Sequence, residues 1–120
     1  MSFLPIFRIL ENRPDIKAML GENLRVYEDI APVGIVPPYA VFQVVGASSI
    51  NHLDESANFH HVMYQFIVYG IYPRETNDIK DAVLQVLEQY SFILNPLLNS
   101  YETETKLFGR GFDANWHLPR

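Results

Sequence analysis

The stretch Pro37-Pro38-Tyr39-Ala40-Val41-Phe42-Gln43, approached through Arg25-Val26-Tyr27 and Ala31-Pro32, decides the fold of this chain. Proline fixes φ and has no N–H, so a proline pair fits the first residues of a strand and not its middle. The stretch therefore predicts a short strand near residues 23–27, a proline-stiffened loop over 28–38, and a strand that starts abruptly at Tyr39 and runs to Val45. Phe42 and Val44 point to one side of that strand, and Val41, Gln43 and Val45 to the other. Both sides are largely apolar, which places the strand centrally in its sheet.

Working downstream, Gly46-Ala47-Ser48-Ser49 ends this strand, and the polar residues 50–58, with Asp54 and Glu55, read as an exposed loop or long hairpin arm. A second strand is predicted over 60–69, where Val62, Tyr64, Phe66 and Val68 alternate with Met63, Gln65, Ile67 and Tyr69. Gly70 permits a bend, and Ile71-Tyr72 extends the strand to Pro73. A helix capped by Thr76 or Asn77 follows. Ile79, Ala82, Val83, Val86, Leu87 and Tyr90 recur at helical spacing, with Asp78, Lys80, Asp81, Gln85 and Glu88 opposite. Residues 92–98 read as an apolar connector broken at Pro96. Residues 101–108 alternate and can pair as a ribbon, Gly109-Arg110-Gly111 reads as a turn, and Phe112, Ala114, Trp116 and Leu118 form a last strand.

Upstream, residues 2–11 read as a helix, with Ser2 as N-cap and Pro5 in the first turn. A second short helix covers 14–20 and stops at Gly21. Helices, neighbouring strands, a helix and a strand point to an α+β fold. It would have a mostly antiparallel, curved sheet with helices on one face, in the order α-(α)-β-β-β-α-β.

Composition narrows the function. A chain of 120 residues reads as one domain over 1–120, large enough for an ordinary core. It has no cysteine, which excludes disulfides and thiolate metal sites. Nine Lys and Arg against 14 Asp and Glu give a net charge of −5, unsuited to gripping a phosphate backbone over a broad surface. No signal peptide and no membrane-spanning run is read, so a soluble product made in the cytoplasm is expected.

Residue constellations for chemistry are weak. His60 and His61 are strand neighbours pointing to opposite faces, so a shared metal would need His52, His117 or Asp54 beside one of them. No serine sits in a nucleophile elbow. Gly109-Arg110-Gly111 lacks the Lys-Ser/Thr and the following helix of a phosphate loop. No catalytic, cofactor or metal residue is assigned. The aromatics Tyr39, Phe42, Tyr64, Phe66, Tyr69, Phe112 and Trp116 exceed what one covered sheet face needs, and an uncovered apolar face marks a protein interface.

The ordered features resemble the tail-completion (tail-terminator) family of long-tailed bacteriophages and prophages. They are Pro14-Asp15-Ile16-Lys17-Ala18-Met19-Leu20-Gly21, Arg25-Val26-Tyr27, Ala31-Pro32, Pro38-Tyr39-Ala40-Val41-Phe42 and Tyr64-Gln65-Phe66-Ile67-Val68-Tyr69, then Tyr72-Pro73, Glu75, the helix 78–87 and a closing strand. The resemblance implies a non-enzymatic virion protein that assembles into a ring, commonly a hexamer, caps the tail tube and meets the head connector. DNA would pass through the ring without specific binding. Partner contacts are expected on the arm at Asn51, His52, Leu53 and Asp54, and near the later turn at Lys106, Phe108 and Arg110. Competing readings are another neck or minor tail component, or a small ligand- or metal-binding α+β domain using its histidines.

Overall fold

The computed structural model describes residues 4–49 and 59–117. Three helices and five strands follow one another: α1 (Ile6–Glu11), α2 (Pro14–Leu20), β1 (Val26–Glu28), β2 (Tyr39–Ser49), β3 (Phe59–Gly70), α3 (Pro73–Leu87), β4 (Ser91–Glu102) and β5 (Leu107–His117). The strands form one sheet in the order β1-β2-β3-β5-β4. Only β1–β2 is parallel; the other pairs are antiparallel. The expected α+β architecture is therefore present, with one strand more than the sequence order predicts.

The differences have local causes. Pro5 stands at the N-cap position of α1, so the helix starts at Ile6; the predicted cap, Ser2, lies outside the described residues. α3 begins three residues before its predicted cap because Pro73 occupies the first helical position, where its missing N–H costs nothing. Thr76 is instead buried in that first turn, and its hydroxyl donates to the Tyr72 carbonyl at 2.6 Å. Residues 92–98 are not a connector but part of the first half of β4, in which Pro96 falls within the second of two register shifts. Gly109-Arg110-Gly111 is not a turn but part of β5. The turn lies at 103–106, where Lys106 takes a positive φ of 60° and its N–H donates to Glu102 O at 2.7 Å.

The core lies between the helices and one sheet face. Val62, Tyr64, Phe66 and Val68 of β3, Phe42 of β2 and Phe112, Ala114 and Trp116 of β5 supply the sheet side. Ile79, Val83, Val86 and Leu87 of α3 close over them, flanked by Ile6, Leu10, Ile16 and Leu20 of the two short helices. Phe112 stacks on Phe66 with centroids 5.6 Å apart and meets Tyr64 edge-on at 6.1 Å. Each such pair adds about 1 kcal/mol beyond the area it buries. Lys80, read from the sequence as part of the polar stripe of α3, is buried. Its ammonium reaches across to Pro96 O (2.9 Å) and pairs with Asp81 (3.0 Å), so a hydrogen bond and an ion pair replace the water it loses.

One buried polar contact gives a prediction. The Tyr64 hydroxyl lies 2.7 Å from Ser91 Oγ. Burial pushes the phenol up to about 12, against a smaller downward pull from the Ser91 hydrogen bond. The unfolded phenol ionises near pH 10, so the folded state holds more protons between about pH 10 and 12 and stability must fall with rising pH across that window. Thermal melts followed by circular dichroism are expected to lose on the order of 2 kcal/mol over this interval. Tyr64→Phe is expected to flatten that loss while costing about 1 kcal/mol at neutral pH for the broken hydrogen bond.

Candidate functional site

The face of the sheet turned away from the helices is the first candidate surface. β-strand alternation puts Val41 and Val45 of β2 and Met63 and Ile67 of β3 on it. Val45 and Met63 are 47% and 39% exposed, and Val41 and Ile67 are half-buried. The uncovered apolar face anticipated from the sequence thus exists. Its aromatic share is smaller than anticipated, because Phe42, Tyr64, Phe66, Phe112 and Trp116 all face the core. Tyr39 and Tyr69 remain on the open side, paired with centroids 5.5 Å apart. Burial raises both phenols, and the Glu102 carboxylate nearby raises them further.

Two glycines shape the same face. Gly109 and Gly111 of β5 lie opposite Tyr69 and Ile67 of β3. A Cβ on Gly111 would meet the Phe66 carbonyl and come within 2.9 Å of Ile67 Cα, so only hydrogen lets the two backbones approach this closely. Beside them, Gln65 Nε2 donates to Asp113 Oδ1 at 3.2 Å, leaving a polar strip at the centre of the face.

The connection between β1 and β2 is the second candidate surface. Its ends are fixed: Asp29 N–H donates to Phe42 O at 2.8 Å, and Arg25 Nε donates to Pro38 O at 2.8 Å. Between those anchors Ile30, Val33 and Val36 are 80%, 105% and 65% exposed. Ala31, Ile35 and Pro37 border an open cavity of about 470 Å³ together with Tyr39, Thr105 and Leu107. This surface was missed in the sequence, although a signal was there: residues 30–38 contain no charged side chain. A loop that runs nine residues without a charge is unusual for a segment facing water.

The predicted contact residues fare unevenly. Asn51, His52, Leu53 and Asp54 lie outside the described residues. Lys106 is exposed in the turn before β5. Phe108 and Arg110 are brought together at the paired ends of β4 and β5. The Phe108 ring packs on Tyr101 at 4.8 Å, and the Arg110 guanidinium sits 5.3 Å over Phe108. Arg110 Nη1 also donates to Gly109 O at 2.8 Å and Ser100 O at 3.3 Å, so this cation is largely occupied in holding its own hairpin. The sheet register sets His117 opposite His61. Among the described residues no three His, Asp or Glu side chains converge as a metal site.

A sheet open on one face, an apolar loop beside it and no convergent set of reactive groups among the described residues describe a binding surface. Residues 5–104 match the family model for the tail completion protein gp17. The chain belongs to this tail completion family, and it is a structural component of the phage tail and neck region, hence of a virion. Two solved structures share its fold. The virion of a native gene transfer agent particle contains a chain 12% identical, with a TM-score of 0.59, covering 94% of this chain and 92% of its own length. The gp17 protein of bacteriophage SPP1 is 15% identical, with a TM-score of 0.55 and coverage of 96% and 86%. No curated protein sequence matches this chain. Among the described residues no helix is long and apolar enough to cross a membrane.

Proposed function

We propose that this chain, acting as one domain over residues 1–120, caps the last ring of tail-tube subunits and stops their polymerisation. Its other side is offered to the connector at the head. The active form is a ring, commonly of six copies, and the chain does no bond-making chemistry. The observation that carries the reading is the coexistence of two uncovered apolar surfaces on a chain whose core is already complete: the sheet face around Val45 and Met63, and the loop at Ile30, Val33 and Val36. Different patches that face different neighbours generate head-to-tail contacts, and such contacts close into a ring when the rotation between copies permits. Membership in the tail completion family supports the same reading.

The contacts assigned to Asn51, His52, Leu53, Asp54, Lys106, Phe108 and Arg110 belong to this proposal, as does synthesis in the host cytoplasm before assembly. The net charge of −5 suits a passage through which DNA slides without being held. A ring bore lined mainly by Lys and Arg would contradict that last point.

Electron microscopy of tails assembled with and without the chain tests the role. The expected result is that tubes lacking it overrun their normal length and fail to join heads. Tubes of normal length that mature without it would reject termination. Sedimentation of the purified chain alone, and with added tube protein, separates a ring that forms by itself from one templated by the tube.

A further inference from the structure

β4 lies at one end of the sheet, and among the described residues its outer side has no neighbouring strand. Twelve residues of edge strand carrying exposed Phe92, Leu94, Leu97 and Tyr101 would ordinarily be a template for another strand. The opposite edge, β1, is only three residues long. In β4, however, the pairing register slips twice, between Ile93 and Asn95 and again between Asn95 and Leu98. Within the second slip two backbone groups are taken up by side chains. Pro96 has no N–H to give. The Leu97 N–H donates to Asn95 Oδ1 at 3.1 Å. The Pro96 carbonyl is drawn toward the helix layer, where Lys80 Nζ donates to it at 2.9 Å.

We infer that the Lys80–Asn95–Pro96 kink closes the β4 edge against strand addition by a second chain. Lys80 is the telling residue. Burying an ammonium is expensive unless it is well paired. Here the cation occupies the Pro96 carbonyl within the kink, so that this acceptor is already taken. The kink cuts the edge into two short runs, 91–93 and 98–102, that are out of step with each other, and a straight incoming strand cannot pair with both. In the ring proposed above, and resting on that reading, neighbouring copies are then not joined by a hydrogen-bond ladder along β4.

The test uses the full chain. Asn95→Val with Pro96→Val restores an N–H, removes the side-chain acceptor and straightens the strand; Lys80→Met removes the donor and keeps the stem. Sedimentation velocity over a hundredfold concentration range is expected to show a dimer of the double variant, joined β4 to β4, and a weaker dimer of Lys80→Met. Both should start at concentrations at least tenfold below any self-association of the parent. Amide hydrogen exchange at 92–101 should slow as concentration rises. Variants that keep the parent's size distribution and exchange rates would overturn the inference. The parent supplies an arm that needs no variant to fold. A synthetic peptide of residues 91–102 carrying Asn95→Val and Pro96→Val, added in large excess, is expected to leave exchange at 92–101 of the parent chain unchanged. Protection of those amides by the peptide would overturn the proposal. A parent that stays monomeric even with tube protein added would count against the ring and leave the edge result standing.

Discussion

A chain carrying Val33→Asp together with Val36→Asp is expected to melt within about 4 °C of the parent and yet fail to cap tails. The thermal expectation follows from exposure. Both side chains stand in water in the isolated copy, and substitutions at such places move stability by no more than about 0.5 kcal/mol. The functional expectation follows from what the loop would bury in a partner. Each valine docked against an apolar surface contributes about 1.5 kcal/mol, and a carboxylate in its place must also be stripped of water. Losing two such anchors weakens association at least about 100-fold. Sedimentation with tube protein and measurement of tail lengths by electron microscopy provide the readouts. Capping at parental efficiency with a folded double variant would remove the loop from the interface.

The second large effect is on the fold. Gly111→Ala is expected to cost about 3 kcal/mol or more and lower the melting temperature by about 10 °C, a loss usually associated with a core truncation. The added methyl would press on the Phe66 carbonyl and on Ile67 Cα, both backbone, so no rotamer change relieves it. The β3–β5 pairing must separate instead, and the Phe66–Phe112 stack directly across the sheet goes with it. Gly34→Ala makes a useful contrast. Gly34 has a positive φ of 82° but open space around its Cβ, so its cost is confined to backbone strain of about 1 kcal/mol. Denaturant melts of the two variants side by side check the ranking; equal losses would mean that the close approach at Gly111 relaxes easily.

Most of the architecture could be read from the residues. The period of α3 is carried by Ile79, Val83, Val86 and Leu87, and all four are core. The alternation in β2 and β3 separated the two sides of each strand correctly, Tyr64 and Phe66 on one and Ile67 and Tyr69 on the other, while which side the helices cover had to come from the structure. What escaped reading depended on partners far away in sequence. Pro96 breaks a strand by local rules, and only an edge position with Lys80 reaching over from α3 makes it tolerable. Gly109 and Gly111 look like a turn because glycine usually signals one, whereas here they answer a crowding set by Ile67 and Tyr69 on another strand. Lys80 scored as polar surface on its own helix and is buried only because β4 passes above it. The candidate surfaces were half legible. The open sheet face followed from a count of aromatics, while the loop at Ile30, Val33 and Val36 was passed over because prolines drew attention to its geometry and away from its missing charges.

The hydrophobic interior of this chain is sealed within a single copy, around Tyr64, Phe66 and Phe112. Maturation of the polypeptide and recruitment to the particle are therefore separate events. No neighbour is needed to complete that interior, and under the proposed capping role what each subunit waits for is a template. Timing would then belong to the growing tube: the stopper is ready in advance, and length is decided by when the tube's end becomes available to receive it.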